Sequence, residues 1–389
     1  MKKEHNIVYM YRFNRMYLSK DEFLIPYYIA RMQKVDLKLI YGCNMGDTDI
    51  PFTYRGVEIR GSIRKQVSTW NEVSDWVKYI LPQAKLLRTL SFCGCSAHHM
   101  MLTWLLHQLN PNVKVVISGD MEEAQAHEFL STSFIYGRGV SAWIKRHLAQ
   151  YFFSHVLLYE ANEKGHALLE IAYKKYGYSG LLSIYPCLDD ELFLESGLKI
   201  KSWSSKDNIM IYVGRIGNHQ KNTDMLLKAL THVNLKDWKV YLIGPITDNF
   251  EINNKSSYHQ KIEEFFADNQ HLRDKVIFTG MIFDQKEIFK YFIRAKVFLS
   301  AARHEGFANV YSQAAAFGCY IISTDVGGAE TASNHWRFGA KVEQEDAEGM
   351  AAAIQKMIDE ESSIDLRQKP DIKNFLYSNV IAEKILPCL

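Results

Sequence analysis

The sequence predicts an α/β protein built from two doubly wound halves, each a parallel sheet wrapped by helices. Three observations carry this. At 389 residues the chain is longer than one hydrophobic core usually serves, so two domains are expected. Short apolar runs alternate with amphipathic segments along nearly the whole length, as parallel βα units require. The alternation lapses once, over the polar stretch 187–208 with Gly197 and Ser202-Trp-Ser-Ser205, and restarts at Ile209. The predicted division is residues 1–200, residues 201–374 and a closing helix over 375–389.

Composition narrows the function. With 47% hydrophobic and 23% charged residues the chain is globular, and 46 basic against 44 acidic residues leave +2. That balance offers no electrostatic footprint for nucleic acid. The opening MKKEHNIVYMYRF lacks the apolar stretch of a signal peptide, and no run of about 18 apolar residues follows. A cytoplasmic location is expected. Cys93 and Cys95 are too close to bridge and no second pair completes a zinc pattern, so the six cysteines read as reduced thiols.

In the first half, strands are expected at 6–11, 37–41, 57–60, 90–93, 113–117, 156–159 and 182–185. Helices are expected at 23–32, with Pro26 in the first turn after a cap at Ser19, then at 70–88, from about Met100, up to about Tyr151, and at 163–176. His98 and His99 open one of these helices and read as structural. In the second half, strands at 209–213, 239–243, 276–279, 297–299 and 320–323 alternate with helices at 224–233, 261–268, 285–293 and from 308.

Two stretches carry chemistry. Residues 298–330 read FLSAARHEGFANVYSQAAAFGCYIISTDVGGAE, delivering Glu305 and the Gly327-Gly328 pair to the carboxyl edge of a sheet, where open α/β sheets bind ligands. Residues 211–222 read IYVGRIGNHQKN, with Arg215 just after a strand and Lys221 just before a helix. Two cations so placed suit a diphosphate leaving group, whose charge grows as the bond to it breaks.

These two stretches together resemble the donor-sugar site of family 4 glycosyltransferases, closely over about 209–357 and only by pattern in the first half. The resemblance implies the GT-B architecture, two Rossmann-like doubly wound domains facing across a cleft, with an acceptor-binding first domain and a nucleotide-sugar-binding second one. It also implies a retaining, metal-independent transfer of a hexosyl group from a nucleotide diphosphate, UDP above all, to a saccharide or lipid-linked hydroxyl in cell-surface polysaccharide synthesis. Glu305, Gly306 and Phe307 would meet the donor sugar, Arg215 and Lys221 the diphosphate together with Gly327 and Gly328, and Gly280, Met281 and Ile282 the base. Asp120 would stand near the reacting carbon or the acceptor, with Glu122 and Glu123 as neighbours able to replace it. The family places a second Glu eight residues after the first; here that position is Gln313, an amide that accepts once and donates once where a carboxylate accepts twice.

That departure keeps two other readings open: a non-catalytic GT-B partner subunit, and a sugar-nucleotide epimerase of the same fold. Asp189 and Asp190 fit a hinge turn better than a metal site. The basic stretch 60–65 and the segment 143–153, with Trp143, Lys145 and Arg146, suggest peripheral contact with the inner membrane face.

Overall fold

The computed structural model describes residues 3–44, 50–65, 68–119, 140–247 and 257–389. The chain divides into two compact units, Met1–Pro186 with Tyr377–Leu389, and Cys187–Leu376. The change of unit thus comes at 186/187 instead of 200/201. Its physical cause is the helix Asp190–Glu195, whose Phe193 packs edge-on against Phe289 and Phe317 of the second unit. Residues 375 and 376 also belong to that unit, because Leu188 N–H donates to Phe375 O and Leu188 bridges Leu376.

Among its described residues the first unit has one sheet in the order β3-β4-β2-β1-β5-β6-β7-β8. These strands are β1 His5–Tyr11, β2 Asp36–Asn44, β3 Thr53–Tyr54, β4 Val57–Arg64, β5 Leu87–Cys93, β6 Lys114–Ser118, β7 Val156–Glu160 and β8 Leu181–Ser183. All pairings are parallel except β3 with β4. The helices named below are α1 Asp21–Gln33, α2 Thr69–Asp75 and α3 Ala97–Leu109. Central strands buried on both faces read as apolar runs, and Ile7, Leu90, Val116 and Leu158 are almost fully buried.

Three local expectations give way. The helix expected over 70–88 is α-helical only to Asp75, widens at Trp76–Ile80, and tightens at Leu81–Leu86 around Pro82, which has no N–H to offer. Strand pairing then claims Leu87 opposite His5. Helix α1 begins at Asp21 after Lys20, which makes no side-chain cap, so Pro26 sits inside the helix. The closing segment is not one helix: it runs through a tight turn at Ile372–Phe375, an α-turn at Tyr377–Val380, a wide turn and another tight one. Its part from Tyr377 onward packs within the first unit, where Tyr377 stacks on Tyr28 of α1 with ring centroids 5.6 Å apart.

The second unit has a fully parallel sheet in the order β11-β10-β9-β12-β13-β14. Its strands are β9 Asp207–Val213, β10 Lys239–Ile243, β11 Val276–Gly280, β12 Ala295–Ser300, β13 Tyr320–Thr324 and β14 Gly339–Val342. Helix α4, Thr223–Leu230, follows β9, and α5, Asn309–Ala316, follows β12. Strand order reverses between β9 and β12, so the loops leaving their carboxyl ends diverge and open a crevice there. Both sheets are therefore Rossmann-like.

Candidate functional site

The loop after β9 is held from below. Gly214 N–H donates to Ile243 O at 2.9 Å, and Gly244 has no room for a side chain because its Cβ would lie on Gly214 O. The buried Tyr212 donates its hydroxyl to Arg215 O at 2.9 Å; burial first, then the charge of Glu305, pushes its phenol pKa up. Thr223 Oγ1, at the start of α4, accepts from Gly217 N–H at 2.9 Å and meets Tyr258 Oη at 2.9 Å. Asn222 adopts a left-handed backbone, φ 47°, and turns the chain into α4.

The loop after β12 meets this one directly. Lys221 Nζ forms an ion pair and hydrogen bond with Glu305 Oε1, their side chains only 16% and 9% exposed. Gln220 lies between the loops: its Oε1 accepts from Arg215 Nη2 at 2.8 Å, and its Nε2 donates to His304 O at 3.0 Å and to Glu305 Oε2 at 3.4 Å. Behind them Arg303 donates through Nη1 to His219 O and through Nε to Glu345 Oε1, both at 2.6 Å. Its backbone N–H reaches Gln220 O at 2.8 Å. The Arg303 hydrogen bond holds the Glu345 carboxyl below its ordinary pKa, and the same Glu345 oxygen accepts from Asn222 Nδ2 at 3.2 Å.

A third loop, after β13, closes the floor. A Cβ on Gly327 would fall on Gly306 O, and Gly328, at φ 90°, faces the ring of Phe307. Tyr311 of α5 ties the layers together beneath, its hydroxyl 3.0 Å from Ser300 Oγ and 2.8 Å from Ser323 Oγ. Gln313 lies on the same helix, half-buried, and among the described residues its side-chain amide meets no partner. Gly280 ends β11 at φ 74°, accepts from Gly244 N–H at 3.0 Å and is followed by exposed Met281 and half-buried Ile282.

The structure thus brings Arg215, Lys221, Glu305, Gly306, Phe307, Gly327 and Gly328 onto adjoining loops at the β9/β12 reversal. Asp120, Glu122 and Glu123 lie outside the described residues. Asp189 accepts from Leu192 N–H at 3.2 Å as a helix cap and is 9% exposed. The basic stretch 60–65 is partly spent internally, Arg60 on Glu58 at 2.5 Å and Arg64 on Asp75 at 2.7 Å. Sequence reasoning missed Gln220, Arg303, Asn222 and Glu345. For Gln220 there was a signal, since it stands between the two cations; Glu345 had none.

Residues 207–360 match the family model for glycosyl transferases group 1. No curated protein matches the chain by sequence. Among solved structures, the chain is similar to Anabaena Alr3699/HepE in complex with UDP, at 12% identity and TM-score 0.63, over 99% of this chain and 100% of that one. It is similar to the lipopolysaccharide outer core galactosyltransferase WaaB in its apo form, at 11% identity and TM-score 0.62, over 99% and 100%. A glycosyltransferase from Rickettsia africae ESF-5 is similar at 15% identity and TM-score 0.63, over 99% and 97%. At these identities the likeness is one of fold, the GT-B fold.

Proposed function

We propose, from the match of residues 207–360 to the family model for glycosyl transferases group 1, that the protein is a retaining transferase moving a hexosyl group from a nucleoside diphosphate to an acceptor hydroxyl. The observation that carries this reading is the Lys221–Glu305 pair at the β9/β12 reversal, with Arg215 joined to it through Gln220. In this resting arrangement each charge occupies the other. A sugar diphosphate offers both a better partner: phosphate oxygens for Lys221 and Arg215, sugar hydroxyls for Glu305.

On this reading the bond between the anomeric carbon and the diphosphate breaks as the acceptor oxygen bonds to the same face. The acceptor proton passes to the leaving phosphate oxygen. Arg215 and Lys221 stabilise the charge that grows there, so turnover proceeds without added Mg²⁺ or Mn²⁺. Backbone atoms of Gly327 and Gly328 line the diphosphate, those of 280–282 the base, and Gln313 the ribose. UDP is the favoured nucleotide because HepE has been solved with UDP and with UDP-glucose. Asp120 remains the proposed group near the reacting carbon.

For the acceptor we assign a concavity in the first unit, where strand order reverses between β1 and β5. Tyr9, Tyr11, Tyr17 and Tyr159 line it with Glu22, whose Oε2 is buried without a hydrogen-bond partner among the described residues. Aromatic faces beside a free carboxylate oxygen suit a saccharide. Its product would enter cell-surface polysaccharide or glycoconjugate. No described helix is long and apolar enough to cross a membrane. Trp143 and Ile144, 55% and 47% exposed on the helix Val140–His155, support peripheral contact instead.

The deciding experiment is thermal stabilisation by UDP, GDP, ADP and their sugars, beside turnover with and without saccharide acceptors. Stabilisation by one nucleotide and acceptor-dependent turnover are expected. Turnover of the sugar nucleotide to an isomer without acceptor would replace this reading with an epimerase. Neither stabilisation nor turnover would replace it with a non-catalytic partner subunit.

A further inference from the structure

In the first unit Glu72, on α2, meets His98 and His99, in the first turn of α3. Glu72 Oε2 lies 2.7 Å from His98 Nε2, and Oε1 lies 2.6 Å from His99 Nε2. Ligand atoms of all three fall within 4.8 Å of one another. One hydroxyl touches both rings: Ser96 Oγ is 2.6 Å from His98 Nδ1, 3.1 Å from His98 Nε2 and 3.0 Å from His99 Nδ1. Glu72 and His99 are buried, at 4% and 5% exposure, while the His98 side chain is 17% exposed and leaves a way in.

The charge around this point is unbalanced. Glu72 and Asp75 are both buried on one helical turn. Asp75 has the guanidinium of Arg64 at 2.7 Å and the hydroxyl of Ser62, also at 2.7 Å. Among the described residues no ammonium or guanidinium pairs with Glu72. Among them its two oxygens meet only the imidazole nitrogens of His98 and His99. A buried anion without a fixed cation is a seat for a mobile one.

We propose that Glu72, His98 and His99 form a binding site for a divalent transition-metal ion, zinc fitting best, that fastens α2 to α3. Two imidazole nitrogens and a carboxylate are a donor set zinc uses with one further position open, whereas Mg²⁺ and Ca²⁺ favour all-oxygen shells. The ion takes the two Nε2 atoms and one Glu72 oxygen. Each neutral imidazole then carries its proton on Nδ1, and Ser96 Oγ, which can accept twice, receives both. Three contacts oppose this: Ser96 N–H points at His99 Nδ1 from 3.2 Å, Ser96 Oγ already accepts from His99 N–H at 3.5 Å as the helix cap, and it lies 3.1 Å from His98 Nε2, so each must yield and costs affinity. Because the site lies on α2 and α3, it is separate from the diphosphate loops, and the transfer proposed above does not pass through it.

The test uses the full chain stripped by chelator, titrated with Zn²⁺ by calorimetry and with Co²⁺ by absorption. One ion per chain is expected, with cobalt d–d bands of a nitrogen–oxygen site, no thiolate-to-cobalt charge transfer, and a higher Tm. Ser96→Ala weakens binding about 10–100-fold, and His98→Gln and Glu72→Gln weaken it further. Cys93→Ser changes nothing. His98 is partly exposed, so its variant keeps the test sound if Glu72→Gln fails to fold. If wild type binds no tighter than His98→Gln, or the cobalt complex shows thiolate charge transfer, the cluster is a hydrogen-bonded network only and the proposal falls.

Discussion

Lys221 and Glu305 stand 84 residues apart in sequence and pair through nearly buried side chains at the carboxyl edge of the second sheet. Removing one partner strands the other. Lys221→Ala should therefore cost stability, about 1.5–3 kcal/mol for a hydrogen bond between charged groups, and lower turnover by roughly 10²–10³. The double variant Lys221→Ala/Glu305→Gln should regain most of the stability and none of the turnover. Urea unfolding beside a donor-turnover assay checks both. Recovery of activity in the double variant would mean the pair is structural alone.

Arg215 is the contrasting case, because its guanidinium is exposed and, among the described residues, hydrogen-bonded through its side chain to Gln220 alone. Arg215→Ala should leave stability within about 0.5 kcal/mol. Its turnover should still fall by roughly 10²–10³ if the side chain meets the leaving diphosphate. Unchanged kcat with the cognate donor would remove Arg215 from the mechanism.

Among the described residues the Gln313 side-chain amide has no hydrogen-bond partner, as a ribose contact requires. Gln313→Glu should tighten nucleoside diphosphate binding by at most about 1–3 kcal/mol, the range for a charged hydrogen bond to ribose hydroxyls. Glu305→Gln should act mainly on rate. Calorimetry with the nucleotide and kinetics with the intact donor separate the two. Equal shifts in both variants would contradict the assignment.

Tyr17, half-buried in the first unit's concavity, tests the acceptor seat. Tyr17→Ala should raise the acceptor KM about tenfold, near 1.4 kcal/mol, the scale of a lost aromatic contact. The donor Kd should stay where it was. A change in donor affinity with no change in acceptor KM would place the acceptor elsewhere.

Much of the fold was legible because its causes are local. The apolar run Val297, Phe298, Leu299 needs only its neighbours to read as a buried strand, and the helix Glu163–Tyr176 carries its own cap in Asn162 and its own stop in Gly177. Some failures came where a distant partner decides. Leu87 becomes strand because β1 pairs with it, against a helical spacing that runs through it. The same holds at the candidate site. Glu305, Lys221 and the glycines stand out as residue types, but nothing near Gln220 announces His304 O, and nothing near Glu72 announces His98 and His99 26 and 27 residues on.

The contact of Gly327 with Gly306 leaves less than a methyl group between two backbones. The loops after β12 and β13 consequently cannot draw closer at this seam, so a change of backbone path in one must be matched in the other. Attempts to retune donor choice by exchanging either loop alone would import a mismatch at this seam. The smallest exchangeable piece is the pair, residues 301–308 together with 325–328.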